Sequence, residues 1–215
     1  MEVSTAVRVG RIYPEIADVA AECGAGLTVI GAHGEHFLHD LFLGATAHKV
    51  VRRSACSTLV VKRAVQGPYR QLLVGVDFSP GSRFAMETAR RLAPKAGTEF
   101  LHAFELPFEG KLRLADVDQE ALDIYLSQAQ TEAERNLQVF LSAAGGDWAG
   151  VAARVVHGYP PEALVAAARK SGADLIALGA HGRSELAELM LGSVSMHVVL
   201  EAPCDVLVAK NQGMQ

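Results

Sequence analysis

Residues 69–210 are predicted to form an open parallel α/β sheet of five strands with helices on both faces, preceded over residues 1–66 by a partial second copy of the same unit. Three observations predict this. Short apolar runs of strand length alternate with stretches whose apolar residues recur at spacings of three and four, the alternation that builds parallel sheets through right-handed crossovers. The run Leu175–Leu178 ends in Gly179, and the run from Gln71 to Val76 delivers Asp77, as strands do where they empty into loops at a sheet edge. Finally, when the numbering is shifted by 148, residues 27–62 lie on residues 175–210 with 15 of 36 positions identical, Gly31, His33, Gly34, Gly44, Cys56 and Lys62 among them.

Taken in order, the chain opens with an alternating piece, Val7-Arg8-Val9, read as a short strand. Tyr13-Pro14 then leads into a helix whose Ile16, Val19, Ala20 and Cys23 share one face before Gly24 stops it. Leu27–Ile30 is a buried strand, a glycine-bounded loop follows, Ala45–Arg53 is a helix and Thr58–Val61 a strand. Gln66-Gly67-Pro68 makes a linker.

The longer series begins at Tyr69. After the strand Gln71–Val76, Ser79-Pro80-Gly81-Ser82 starts a helix that turns Ala85, Ala89, Leu92 and Ala93 inward, since Ser and Pro belong at a helix start. Pro94 and Gly97 close it, and Thr98–Phe104 is the second strand. A long helix follows in which Leu122, Leu126, Ala129, Ala133, Leu137, Phe140 and Ala144 form the apolar stripe. Val151–Val156 is a strand, Tyr159-Pro160-Pro161 opens a helix, and strand, loop, helix and strand complete the set through Lys210. The first 66 residues match only the part of this series from its third strand onward. The absent elements include the strand next to Leu27–Ile30, which leaves backbone groups and an apolar face to be satisfied otherwise. The partial copy is therefore expected to dock on the complete one through the final strands.

Composition narrows the function. Lys and Arg total 20 against 24 Asp and Glu, for a net charge of -4 and a pI near 6.1, so no overall basic character points to nucleic acid or anionic lipid. No apolar run approaches the roughly 20 residues that cross a bilayer, and the N-terminus has no basic-then-apolar secretory pattern, so the chain is expected in the cytoplasm. Of the three cysteines, Cys56 and Cys204 hold the same place in the two copies, before an apolar run, and read as buried small hydrophobes in a reducing compartment.

A strand that empties into glycines, with a further glycine and hydroxyl opening a helix, is a backbone arranged to hold phosphate. Gly179, Gly182, Gly192 and Ser193 follow the spacing G-x2-G-x9-G-S. The N–H groups of Ser193, Val194 and Ser195 stand at a helix start, Arg183 adds a charge, and Asp77 can accept from ribose hydroxyls or an adenine amine. Taken singly, such glycines make turns and Asp77-Phe78-Ser79 caps a helix. Together with VGVDFSPGSRFAMETARRLA, FLHAFE, YPPEALVAAARKSGADLIALGAHGR and APCDVLVAK, the whole of residues 69–210 resembles the universal stress protein family, with residues 7–62 as a partial second copy.

The resemblance implies an adenine nucleotide alpha hydrolase-like fold with strand order 3-2-1-4-5, paired through the last strand as a homo-oligomer or as an intrachain pseudo-dimer. It implies ATP, with Mg2+, as the cofactor. Gly179, Gly182, Gly192 and Ser193 match the phosphate and ribose contacts of the ATP-binding branch, and Asp77 and the backbone near Ala103 match the nucleoside side. Val76, Ser79 and His181 complete the candidate set around them. Copy one departs from the pattern: Ala45 stands in place of the hydroxyl residue and no first-strand aspartate exists, so its own nucleotide site is expected to be absent or weak.

The function implied is a nucleotide-dependent stress-response regulator or interaction module. The other readings are an interaction protein that binds no nucleotide and a slow ATP-hydrolysing enzyme. The chain has no GxxxxGK[ST] loop, and its one GxG, Gly24-Ala25-Gly26, precedes a strand; only Glu185 and Glu188 in the spacer offer acid–base groups. His33, His36 and His39, spaced by three with Asp40 and His48 nearby, could hold a transition metal on a helical turn, with solvated surface histidines as the plainer reading. Cys204 as a nucleophile is a weaker reading than the metal site, since it stands just before a core strand with no adjacent base evident.

Overall fold

The computed structural model of the chain describes residues 3–32, 43–106, 118–145, 151–182 and 191–211. In the N-terminal half, α1 (Ile12–Glu22), β1 (Leu27–Gly31), α2 (Ala45–Arg53) and β2 (Ser57–Val61) follow one another. The C-terminal half contains β3 (Gln71–Gly75), α3 (Pro80–Leu92), β4 (Gly97–Phe104), α4 (Gln119–Ala143), β5 (Ala152–His157), α5 (Pro160–Ser171), β6 (Leu175–Gly179), α6 (Ser193–Glu201) and β7 (Asp205–Ala209). Local chemistry sets the ends. Ser79 caps α3 by accepting from Ser82 N at 3.1 Å, with Pro80 in the first turn, while Gly172 ends α5 at φ 66° and Gly24 follows α1 at φ 58°.

All seven strands join one sheet in the order β1-β2-β7-β6-β3-β4-β5. Five parallel strands, β5-β4-β3-β6-β7, come from the C-terminal half, and the parallel pair β1-β2 is added to them by an antiparallel contact of β2 with β7. The sheet is thus mixed and seven-stranded rather than purely parallel and five-stranded. The expected strand at Val7-Arg8-Val9 is a further departure. Residues 3–9 are in no strand, and Val7 and Val9 are 90% and 98% exposed, because no neighbouring strand among the described residues pairs with them.

The antiparallel contact obeys a local two-fold symmetry. Thr58 faces Val208, Leu59 faces Leu207 and Val60 faces Val206, so that each pair exchanges for the other under the shift of 148, and Leu59 meets its own counterpart. Side chains repeat the symmetry. Lys62 Nζ donates to Ala202 O at 2.7 Å, and Lys210 Nζ donates to Ser54 O, the counterpart of Ala202, at 3.1 Å. Lys62 N donates to Asp205 Oδ1 at 2.8 Å, and Lys210 N donates to Ser57 Oγ, the counterpart of Asp205, at 3.1 Å. Each lysine satisfies orphan carbonyls at the end of the other half's helix, and each strand end is held by a side chain of the other strand.

The sheet's two faces carry separate cores. Alternate residues of β2 point to each, Val60 belonging to the core that includes Leu73, Leu164, Ile176, Val198 and Val206, and Leu59 to the one that includes Leu72, Met86, Phe100, Leu137 and Leu207. The second face is incomplete at β1. Val29 is 58% exposed, whereas its counterpart in β6, Ala177, is fully buried with Met86 and Ala89 of α3 in the same cluster, and the N-terminal half has no helix corresponding to α3. Among the described residues strand β1 pairs only with β2 and forms the edge of the sheet.

Candidate functional site

The carboxyl ends of β3 and β6, adjacent in the sheet, open onto a cleft of about 430 Å³. On the β3 side the chain leaves the strand through Val76, whose N–H donates to Leu101 O at 2.9 Å and whose carbonyl accepts from His102 Nδ1 at 2.7 Å. Phe78 then takes φ 66°, in the left-handed region that costs a residue with a bulky side chain. Its ring packs 4.3 Å from that of His102 and 6.0 Å from that of Phe140, contacts that hold the turn in place. The turn places Asp77 at the cleft. Ser79 fixes the carboxylate there, its N–H and hydroxyl both donating to Asp77 Oδ1, at 3.0 and 2.5 Å.

On the other side, β6 ends at Gly179. A Cβ built there would stand 2.7 Å from the carbonyl carbon of Gly81, so this glycine is required by the approach of the α3 start to the strand end. Gly182 faces the carboxylate instead: a Cβ on it would lie 3.1 Å from Asp77 Oδ2. Beyond it Gly192 donates its N–H to Ala180 O at 2.8 Å and serves as N-cap of α6, and Ser195 Oγ donates to Gly179 O at 2.7 Å. The first-turn N–H groups of Ser193, Val194 and Ser195 have no carbonyl of their own helix to bond. They line the cleft.

The cleft brings together ten of the twelve residues expected from the sequence: Val76, Asp77, Ala103, Gly179, His181, Gly182, Gly192, Ser193, Val194 and Ser195. Ser79 does not line it; the residue is buried beneath the turn and acts through Asp77. Arg183 lies outside the described residues, as do Glu185, Glu188, His33, His36, His39 and Asp40. The sequence reading missed the apolar wall. Leu101 of β4, Pro160 and Leu164 of α5, Leu178 and Leu191 complete the lining, with Gly75 of β3 and Ser82 of α3. Leu164 was visible only as one apolar position of an amphipathic helix, which does not say that part of that face borders a cavity.

Cys204 is fully buried, and burial pushes its thiol up to about 12, which removes the thiolate a nucleophile needs. Cys56 is buried as well, with its sulfur 3.2 Å from Thr28 Oγ1, while Cys23 is exposed.

The model of the universal stress protein family matches residues 2–62 and 68–210. The chain belongs to the universal stress protein family. Relatives divide by length. A universal stress protein of Mycobacterium tuberculosis is 30% identical over 205 residues, 92% of this chain and 65% of the relative, so the chain spans about two thirds of the length of such relatives. One from Synechocystis is 27% identical over 161 residues, 66% of this chain and 99% of the relative. Among solved structures, a protein of Pseudomonas aeruginosa shares the fold at TM-score 0.68 and 19% identity, covering 95% of this chain and 69% of its own. The structure of a universal stress protein from Archaeoglobus fulgidus aligns at TM-score 0.60 and 21% identity over 97% of this chain and 70% of its own. No helix among the described residues is long and apolar enough to cross a membrane.

Proposed function

We propose that this universal stress protein binds one ATP per chain, as its magnesium complex, in the cleft between β3 and β6, and that the bound nucleotide regulates its conformation or its partners. The observation that carries the reading is the convergence on one 430 Å³ cleft of an acceptor, Asp77, a helix start whose first N–H groups have no carbonyl of their own helix to bond, and an apolar wall. These chemistries fit the parts of the nucleotide. The wall of Leu101, Pro160 and Leu164 suits the base, Asp77 suits an adenine amine or ribose hydroxyl, and Ser193, Val194 and Ser195 suit the phosphates at the positive end of α6. Gly182 leaves open the space beside Asp77 Oδ2 that a side chain would fill. The protein's own part is to bind and orient: Ser79 holds the carboxylate turned toward the cleft, and the hydroxyl of Ser195, engaged with Gly179 O, ties the helix start to the strand end.

The N-terminal half is read as an incomplete repeat, residues 1–66, paired with the complete repeat, residues 69–210, as an intrachain pseudo-dimer. The reciprocal bonds of Lys62 and Lys210 support this. The half supplies no Asp77 and no Ala103, so it is not expected to bind a nucleoside. Native mass spectrometry of the chain with ATP and magnesium tests the proposal: one nucleotide per chain is the expected mass increment, and a chain that retains none contradicts it.

A further inference from the structure

A second, wider concavity of about 830 Å³ lies on the N-terminal half, between the chain entering α1 and the face of α2. Arg11, His48, Lys49, Arg52 and Arg53 line it, and among the described residues no acidic side chain does. Of the three acids of α1, Glu22 pairs with Arg8, Asp18 is not in the lining, and Glu15, also outside the lining, lies against Gly10 at its edge. Among the described residues Arg11, Lys49 and Arg52 have no ion-pair partner. Tyr13 gathers two of the charges, with Lys49 Nζ 5.7 Å and the Arg53 guanidinium 5.2 Å from its ring centre and Arg53 donating to its hydroxyl at 3.0 Å. In a chain of net charge -4, four permanent cations around one hollow repel one another. A multivalent anion would relieve that repulsion.

The charge is not a requirement of the repeated scaffold. Under the shift of 148, Arg11, Lys49, Arg52 and Arg53 correspond to Tyr159, His197, Leu200 and Glu201, so the same helix pair is built in the C-terminal half with no Arg or Lys at any of the four positions. There Tyr159 meets His197 edge to face at 6.0 Å, where the N-terminal half sets Arg11 and Lys49. The backbone, by contrast, is repeated closely. Gly44 has φ -60°, ψ 148° and donates to Ala32 O at 2.8 Å, and Gly192 has φ -61°, ψ 147° and donates to Ala180 O at 2.8 Å. Ala45 and Thr46, next to Gly44, form part of the wall of the concavity.

We infer that this concavity is a binding site for polyphosphate anions that does not select a base: it keeps the phosphate-end backbone, adds cations, and has no nucleoside half. The comparison of the two helix starts rests on the reading of the C-terminal cleft as a phosphate site; the hollow and its cations do not.

The test is a calorimetric titration of the full chain with inorganic tripolyphosphate. Wild type is compared with the triple variant Arg11→Gln, Lys49→Gln, Arg52→Gln and with a control of equal charge change, Arg91→Gln, Lys95→Gln, Lys170→Gln, all six residues being exposed. The expected result is a Kd raised about tenfold or more in the first triple variant, and by less than about twofold in the control, since each charge-assisted contact to phosphate is strong and local. Equal weakening by both triple variants, or no binding by wild type, would overturn the inference. Ser193→Asp, which sets a carboxylate at the exposed start of α6, separates this site from the C-terminal cleft. Tripolyphosphate binding that survives Ser193→Asp and is lost in the first triple variant supports the inference even if wild type takes no ATP. Binding lost with Ser193→Asp but kept in the triple variant assigns the anion to the cleft and refutes it.

Discussion

Leu59 pairs across the β2–β7 seam with Leu207, the residue that occupies its own place in the second repeat. A self-paired position lies on a two-fold axis, so the seam is isologous within one chain. Both side chains are buried, Leu207 completely. Leu59→Ala and Leu207→Ala are each expected to destabilise the chain by about 2–5 kcal/mol, and the double variant to depart from the sum because the two share one cluster. Urea unfolding of the four proteins of the cycle checks this.

At the seam the carboxyl group of Asp205 takes three donors, Lys62 N, Arg63 N and Tyr69 OH, the last at 2.7 Å. Its counterpart Ser57 accepts from Lys210 N alone among the described residues. Asp205→Ala is therefore expected to cost about 3 kcal/mol and Ser57→Ala about 1 kcal/mol, the difference being the number of donors left unsatisfied. Thermal unfolding should rank the variants in that order.

The same group sets an alkaline limit. Burial and the hydrogen bond to Asp205 raise Tyr69 above its ordinary 10, and burial raises Cys204 from 9.0 to about 12. The folded chain thus keeps protons that the unfolded chain releases, so their contribution is complete below pH 9 and is lost as pH rises toward 12. Lys62 acts in the opposite sense, since burial lowers its pKa below 10.5. Tyr69→Phe should make the fall in stability above pH 10 shallower, measured as the urea midpoint against pH.

Exposure separates equivalent positions of the repeats. Val29→Lys is expected to change stability by less than about 0.5 kcal/mol, because the side chain is 58% exposed at the sheet edge. Ala177→Lys, at the counterpart, would place an unpaired charge in the core beneath α3 and should abolish folding. Equal loss of folding at the two positions would show that the face over β1 is covered.

Much of the fold was legible because glycine, proline and serine punctuate it. Ser79-Pro80 marked the start of α3, Gly24 the stop of α1, and the 148-residue shift marked the two halves. What the shift could not convey was pairing. Val7 and Val9 carry the alternation of a strand, yet a strand needs a neighbour, and the neighbour that β4 provides for β5 has no equivalent before β1. The polar rim of the cleft was legible as Asp77 and the glycine spacing, because backbone approach and helix starts impose residue types. The apolar wall was not, because Leu101 and Leu164 look like any core residue until β4 and α5 are placed beside β3 and β6. Gly179 shows the limit from the other side, since its glycine is required by the backbone of Gly81.

The account turns on Asp77 and the start of α6 holding one nucleotide. Isothermal titration of the full chain with ATP and magnesium, beside Asp77→Ala, measures that most directly. One ATP per chain in the wild type, weakened about tenfold or more by Asp77→Ala through loss of a hydrogen bond to the nucleoside, is the expected result. No heat of binding in the wild type, or an affinity for ATP unchanged by Asp77→Ala, would contradict it.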